Sequence, residues 1–231
     1  MKRPAPFSRT WWQEWGLSAM LVILLLAIFV GLPLETLGIV SPTVVGVAIT
    51  FLIISGIVAM VGRGTVTTIV GVVAVVSLVL RWLTEILPGR TLALWDLSFG
   101  ILTLGLLTAF VLRHIFREGR ITADRVRGGI LAYLLLGLVW CLAYQLVDFL
   151  DAGALRFPGL RQSTPGRLSH DLAYYSYITL TTVGYGDITP VSPVARALAM
   201  GEALVGQLYP AILIARLVSQ QIAAGPSGDR P

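Results

Sequence analysis

Runs of about twenty consecutive apolar residues dominate this 231-residue chain. A helix of that length crosses ~30 Å of hydrocarbon, and no water-soluble domain has surface to spare for several of them. Six such runs lie at roughly 17–34, 42–62, 65–87, 92–113, 128–149 and 193–217. Helix-stopping residues mark most of the breaks: Pro33 and Pro42, Gly62 and Gly64, then Pro88-Gly89. Only 13% of the residues are charged, where soluble domains carry about 25%. Short alternating strands, the mark of a membrane β-barrel, are not seen. The single cysteine, Cys141, has no intrachain partner for a disulfide. The pattern predicts an all-α integral membrane protein with six transmembrane helices.

The 17 lysines and arginines orient it. With the N-terminus cytoplasmic, Lys2, Arg3, Arg9, Arg63, Arg113, Arg117, Arg120, Arg125, Arg127, Arg216 and Arg230 lie inside. Arg81, Arg90, Arg156, Arg161, Arg167 and Arg196 then lie outside. The larger share inside predicts two cytoplasmic termini, with Trp11, Trp12 and Trp15 as an aromatic belt at the inner interface. Basic residues beside spans serve this purpose, so the net charge of +5 does not imply nucleic acid. The first span follows basic residues as a signal peptide would, but no small-residue cleavage site comes after it, so it is read as retained.

The chemistry lies between the fifth and sixth spans. Residues 170–180 number about eleven, too few to cross ~30 Å of hydrocarbon, and suit a half-crossing helix capped by Ser169 or Asp171. The following backbone, Thr182 to Gly186, would sit at membrane depth without helical hydrogen bonds, which is tolerated only inside protein or beside water. Gly184 and Gly186, at alternate positions, permit dihedrals that turn successive carbonyls to one side. Carbonyls of Thr182, Val183, Gly184 and Tyr185, with the Thr182 hydroxyl, would then replace the water around a dehydrated cation. The negative end of the short helix dipole favours that cation.

The segment Thr181-Thr182-Val183-Gly184-Tyr185-Gly186-Asp187 resembles the signature of the potassium-channel family. The resemblance covers about residues 125–218. It implies a pore module of outer helix, turret, pore helix, filter and inner helix, with potassium ions held at Thr182, Val183, Gly184 and Tyr185. It implies no cofactor. One filter per chain cannot encircle an ion, so a homotetramer is implied as well. Tyr174 and Tyr175 stand where the family commonly has two tryptophans. The family pattern makes the second of the pair a hydrogen-bond partner of Asp187, so that the three support the filter. Ile178 takes the place of a glutamate found behind some filters.

The sixth span contains Gly206 and Pro210, four apart, where the family often has a gating hinge; close helix packing is the competing reading of Gly206. Glu202 is ionisable in an apolar span and therefore expensive. It either bonds the pore helix from behind, the preferred reading, or stands near the cavity. Gln207 and Tyr209 either line the cavity or join helices. Residues 150–169 read as a solvated turret, His170 as a surface bystander and Cys141 as packing.

A voltage sensor moves several charges, each worth about 2.3 kcal/mol per 100 mV. Leu97 to Leu112 contains no arginine; Arg113, Arg117 and Arg120 come only afterwards and read as an inner anchor against anionic lipid. The expected organisation is a cytoplasmic segment 1–16, a sensorless four-helix domain 17–116, a linker 117–127, the pore module 128–218 and a short tail 219–231. These features predict a voltage-independent, potassium-selective channel of a cell membrane, of the bacterial inner-membrane type. Alternatives are a non-selective cation channel, or a regulatory or transporter subunit of a potassium uptake system. No nucleotide loop or catalytic constellation is visible, so no enzyme is expected.

Overall fold

The computed structural model describes residues 9–60, 65–116, 123–158 and 170–223. The chain enters through α1 (Arg9–Leu26), one π-helical turn (Ala27–Gly31) and α2 (Leu32–Thr36), then α3 (Pro42–Met60), α4 (Thr65–Ile86), α5 (Arg90–Ile115) and α6 (Ala123–Leu150). A half-length helix α7 (His170–Leu180) and the long α8 (Pro193–Ala223) follow. The π turn lies directly before Pro33, whose ring cannot donate to the carbonyl four residues back. Widening to an i→i+5 bond, from the amide of Leu32 to Ala27, lets the helix pass the proline.

Five helices among the described residues are long and apolar enough to cross a membrane: Leu17–Thr36, Thr68–Ile86, Arg90–Arg113, Arg125–Leu150 and Pro193–Ser219. The described apolar stretch of α3, Thr43–Gly56, is shorter. The protein is thus an all-α, multi-pass membrane protein. Its outward faces expose Val22, Phe51, Val72, Val79 and Trp95, as a lipid solvent allows.

The packing turns on α6. Leu131, Leu135, Leu138 and Leu142 form a buried stripe at helical spacing, against which α5 lies along its length. The α5 face is equally periodic: Leu97, Leu104, Leu107, Val111 and Ile115 are buried. Helix α1 packs on α6 and also on α3, while α4 packs on α5. Both α5 and α1 therefore rest on the outer helix of their own chain.

Hydropathy alone passes over one feature of this bundle. Asp96, in the second turn of α5, is 5% exposed and faces Arg81 of α4, with Glu85 also within its field. Arg81, counted on the outer side and within the third span, lies in α4, and its guanidinium lies against Gly46 of α3. A largely apolar cavity lies here, with Ser77, Arg81, Asp96 and Gln145 as the polar residues of its lining.

The turret also departs from a free loop where it is described. Leu155 and Arg156 pair antiparallel with Pro190 and Thr189, forming strands β1 (Leu155–Arg156) and β2 (Thr189–Pro190). The amides of Val191 and Ser192 donate to the carbonyl of Ala154, and Ala154 and Leu155 are buried. Lys2, Arg3, Arg63, Arg117, Arg120, Arg161, Arg167 and Arg230 lie outside the described residues, as do the side chains of Arg9, Trp11, Trp12 and Trp15.

Candidate ion-conduction site

Helix α7 sits between α6 and α8 and ends where the signature begins. Its end is a Schellman closure: the amide of Val183 donates to the carbonyl of Ile178 at 2.9 Å, and that of Thr182 to Thr179 at 2.9 Å. Such a closure needs a left-handed residue at the position after the cap. Here that residue is Thr182, with φ of +61°. Gly184 and Gly186 have φ of +53° and +79°, while Val183 and Tyr185 are not among the positive-φ residues. The sign of φ therefore alternates from Thr182 to Gly186, which is the geometry that turns consecutive carbonyls to one side. No backbone amide among the described residues donates to a carbonyl of Thr181 through Gly186.

The two glycines were legible as permissive positions; the left-handed threonine was not, because a β-branched residue there is an outlier. Its hydroxyl accepts from Gln207 Nε2 of α8 at 3.3 Å. That contact brings Gln207 to the first residue of the alternating segment.

Three side-chain bonds join α7 to α6. The Tyr177 hydroxyl donates to Leu134 O at 2.7 Å, the Tyr133 hydroxyl to Leu180 O at 3.1 Å, and Ser176 Oγ lies 2.7 Å from Gly137 O. In lipid the hydrophobic effect does not press helices together, so packing and such bonds, about 0.6–2 kcal/mol each, carry the association. Two glycines make the approach possible. A Cβ on Gly137 would stand 2.2 Å from the Tyr177 ring, and one on Gly206 would stand 1.8 Å from the carbonyl oxygen of Leu180. Neither Gly137 nor Tyr177 was singled out from sequence; a glycine in an apolar span was the sole available signal.

Glu202 is fully buried behind α7. Tyr144 of α6 donates to its Oε2 at 2.6 Å, and its Oε1 lies 2.6 Å from Ser176 Oγ. Of the two placements expected for it, this is the one against the pore helix. Tyr209 donates to Gly129 O at 2.8 Å and stacks on Tyr133, so it joins helices. Helix α8 runs unbroken through Pro210.

At the mouth, one expectation is corrected. The partner of Asp187 is Tyr174, the first aromatic of the pair. Tyr175 is buried and meets the ring edge of Tyr144 at 4.9 Å. Consecutive helical residues point about 100° apart, so one tyrosine faces the filter and the other faces α6. The hydroxyl of Tyr174, aided by the amide of Ile188 at 2.9 Å, holds the Asp187 carboxyl below its ordinary range. His170 Nδ1 lies 3.5 Å from Asp171 Oδ1, at the start of α7. Cys141 is buried.

The signature segment and one face of α8 are exposed. Thr181 through Asp187 are exposed, and Met200, Leu204, Leu208 and Ile212 form an exposed apolar stripe on α8. Only 11% of the α8 span is buried, against 44% of the α6 span.

A family model described as "Ion channel" matches residues 129–221, from the first turns of α6 almost to the end of α8. The protein LctB of Bacillus caldotenax is 32% identical over 117 residues, covering 50% of this chain and 86% of that relative. The LctB of Geobacillus stearothermophilus is 43% identical over 63 residues, 26% of this chain and 46% of its own length. The two pore potassium channel c of Oryza sativa subsp. japonica is 33% identical over 88 residues, 38% of this chain and 19% of its own. No solved structure matches the chain. The segment that the family model matches is the one that holds the half-crossing helix, the alternating backbone and the two helices that brace them, and this chain belongs to the potassium channel family.

Proposed function

We propose that the chain is one subunit of a potassium-selective channel, with four copies meeting around Thr182 to Gly186. The observation that carries the reading is the alternation of φ over those residues, which directs unbonded carbonyls to one side. A ring of such carbonyls, supplied by Thr182, Val183, Gly184 and Tyr185 of each copy, would replace the hydration shell of a potassium ion. The exposed filter and the apolar stripe on α8 supply the surface that neighbouring copies would cover.

In this reading the chain has six spans, α3 being the one added to the five, with both termini in the cytoplasm of a cell membrane and Asp187 outside. Gly206 and Pro210 would let the lower part of α8 bend. Conduction is passive and voltage-independent, since α5 carries no ladder of arginines. The test is purified protein in a planar bilayer with potassium on one side and sodium on the other. A reversal potential near the potassium equilibrium value is expected. A reversal near zero would make it a non-selective cation channel, and current absent at every composition would favour an accessory subunit.

A further inference from the structure

Three short oxygen contacts, two at the carboxyl group of Glu202 and one at its partner Ser176, have to be explained together. Tyr144 Oη lies 2.6 Å from Oε2, Ser176 Oγ lies 2.6 Å from Oε1, and the same Oγ lies 2.7 Å from the carbonyl oxygen of Gly137. Each contact at this length requires one hydrogen between the oxygens. Tyr144 and Ser176 bring one each, and a carbonyl brings none. The serine hydrogen cannot serve Gly137 and Glu202 at once at full strength, so the contacts need a third hydrogen.

The surroundings supply no charge to replace it. The side chains that face Glu202 are Tyr133 and Tyr144 from α6, and Tyr175, Ser176 and Tyr177 from α7, with Cys141 of α6 beside Tyr177. All are neutral groups, and no lysine or arginine among the described residues pairs with the carboxyl. Glu202 is 0% exposed and Ser176 is 0% exposed. An ionised carboxylate in so dry a place, held by one tyrosine hydroxyl and a serine hydroxyl that also serves Gly137 O, is costly; a neutral acid with a donor role is not.

We propose that Glu202 keeps its proton and acts as a hydrogen-bond donor that positions the pore helix. Oε1–H donates to Ser176, Ser176 donates to Gly137 O, and Tyr144 donates to Oε2. The chain has one direction, and it crosses from α8 through α7 to α6, with Ser176 in the helix that leads into the filter. The carboxyl proton is thus a structural part of the filter's support. Base removes it, and with it the donor to Ser176, so an alkaline environment loosens the filter from behind. This deepens the channel reading and rests on it for its electrical consequence alone.

The experiment uses the full chain in lipid. Infrared difference spectra of wild type against Glu202→Gln at neutral pH should show the carbonyl stretch of a protonated carboxylic acid, and Ser176→Ala should shift that band by removing its acceptor. In bilayers, potassium current of the wild type should fall about tenfold or more at strongly alkaline pH, the order expected for losing a buried hydrogen bond. Glu202→Gln, whose amide donates to Ser176 and accepts from Tyr144, should keep the current and lose the alkaline fall; Glu202→Ala should lose current at all pH values. A carboxylate band in place of the acid band, or a Gln variant as defective as the Ala variant, overturns the proposal. If the acid band is present and responds to Ser176→Ala while no variant or wild type conducts, the channel reading fails and the proton assignment stands.

Discussion

Thr182 concentrates the demands on this backbone. A β-branched residue with φ of +61° costs on the order of 1–3 kcal/mol and persists only where its surroundings fix it. Here the Schellman closure fixes the amides on either side and Gln207 holds the hydroxyl. The glycines at 184 and 186 keep the alternation going without that cost. Gly186→Asp would place a side chain at φ of +79° beside the Asp187 carboxylate, and should abolish the preference for potassium over sodium in flux assays; unchanged selectivity would reject the assigned filter. Asp187 offers a second, milder test. Its carboxyl is held low by the Tyr174 hydroxyl, so the contribution of the ionised form is present at neutral pH and is lost as pH falls through that lowered value. Removing the donor with Tyr174→Phe moves the loss upward, toward the ordinary range of an aspartate. Potassium current titrated from pH 7 downward at the filter-mouth side should therefore fail at a higher pH in the variant than in the wild type.

Among the elements, α7 was the one best foretold. Its length follows from what cannot cross a membrane, and its expected bounds, 170–180, are those observed. The alternation at the glycines was also legible, since only glycine adopts positive φ freely. Hydropathy, however, reports depth and not azimuth. The family pattern places the bond to Asp187 on Tyr175, one residue and about 100° of rotation away from Tyr174, and apolar run length passes over Asp96, which faces Arg81. The two-residue ladder between Leu155–Arg156 and Thr189–Pro190 is too short to carry a periodic signal. Gly206 shows the same limit in energetic form. Four residues before a proline it reads as a hinge, yet its α-carbon abuts the carbonyl of Leu180, where a methyl would stand 1.8 Å from oxygen. Backbone cannot give way as a side-chain tip does, so Gly206→Ala should lower the stability of the purified assembly by about 1–3 kcal/mol, read as a lower melting temperature. A variant of unchanged stability but altered opening would favour the hinge.

For the molecule as a whole, the peripheral helices brace the pore. Arg216 of α8 donates to the carbonyl of Phe116 at the C-terminus of α5, and its guanidinium lies 5.2 Å from the Phe116 ring centre. The end of the inner helix is thus tied to the element where a sensor would sit, so the question of voltage is a question of charge. In α5, Arg113 is exposed at the far end and Asp96 is buried near the start. Asp96 has Arg81 of α4 opposite it, so any joint movement of the pair through the field carries charges of both signs, and their work cancels. One uncompensated charge crossing the whole field would yield only about 2.3 kcal/mol per 100 mV, and no helix among the described residues offers the three or four that steep gating requires. Neutralising Arg113, Arg117 and Arg120 together should leave the conductance–voltage curve where it was. Arg216→Gln should instead change the open probability equally at all voltages, because it cuts a mechanical tie and moves no charge through the membrane. A shift of that curve along the voltage axis by the triple neutralisation would show that these arginines sense the field after all.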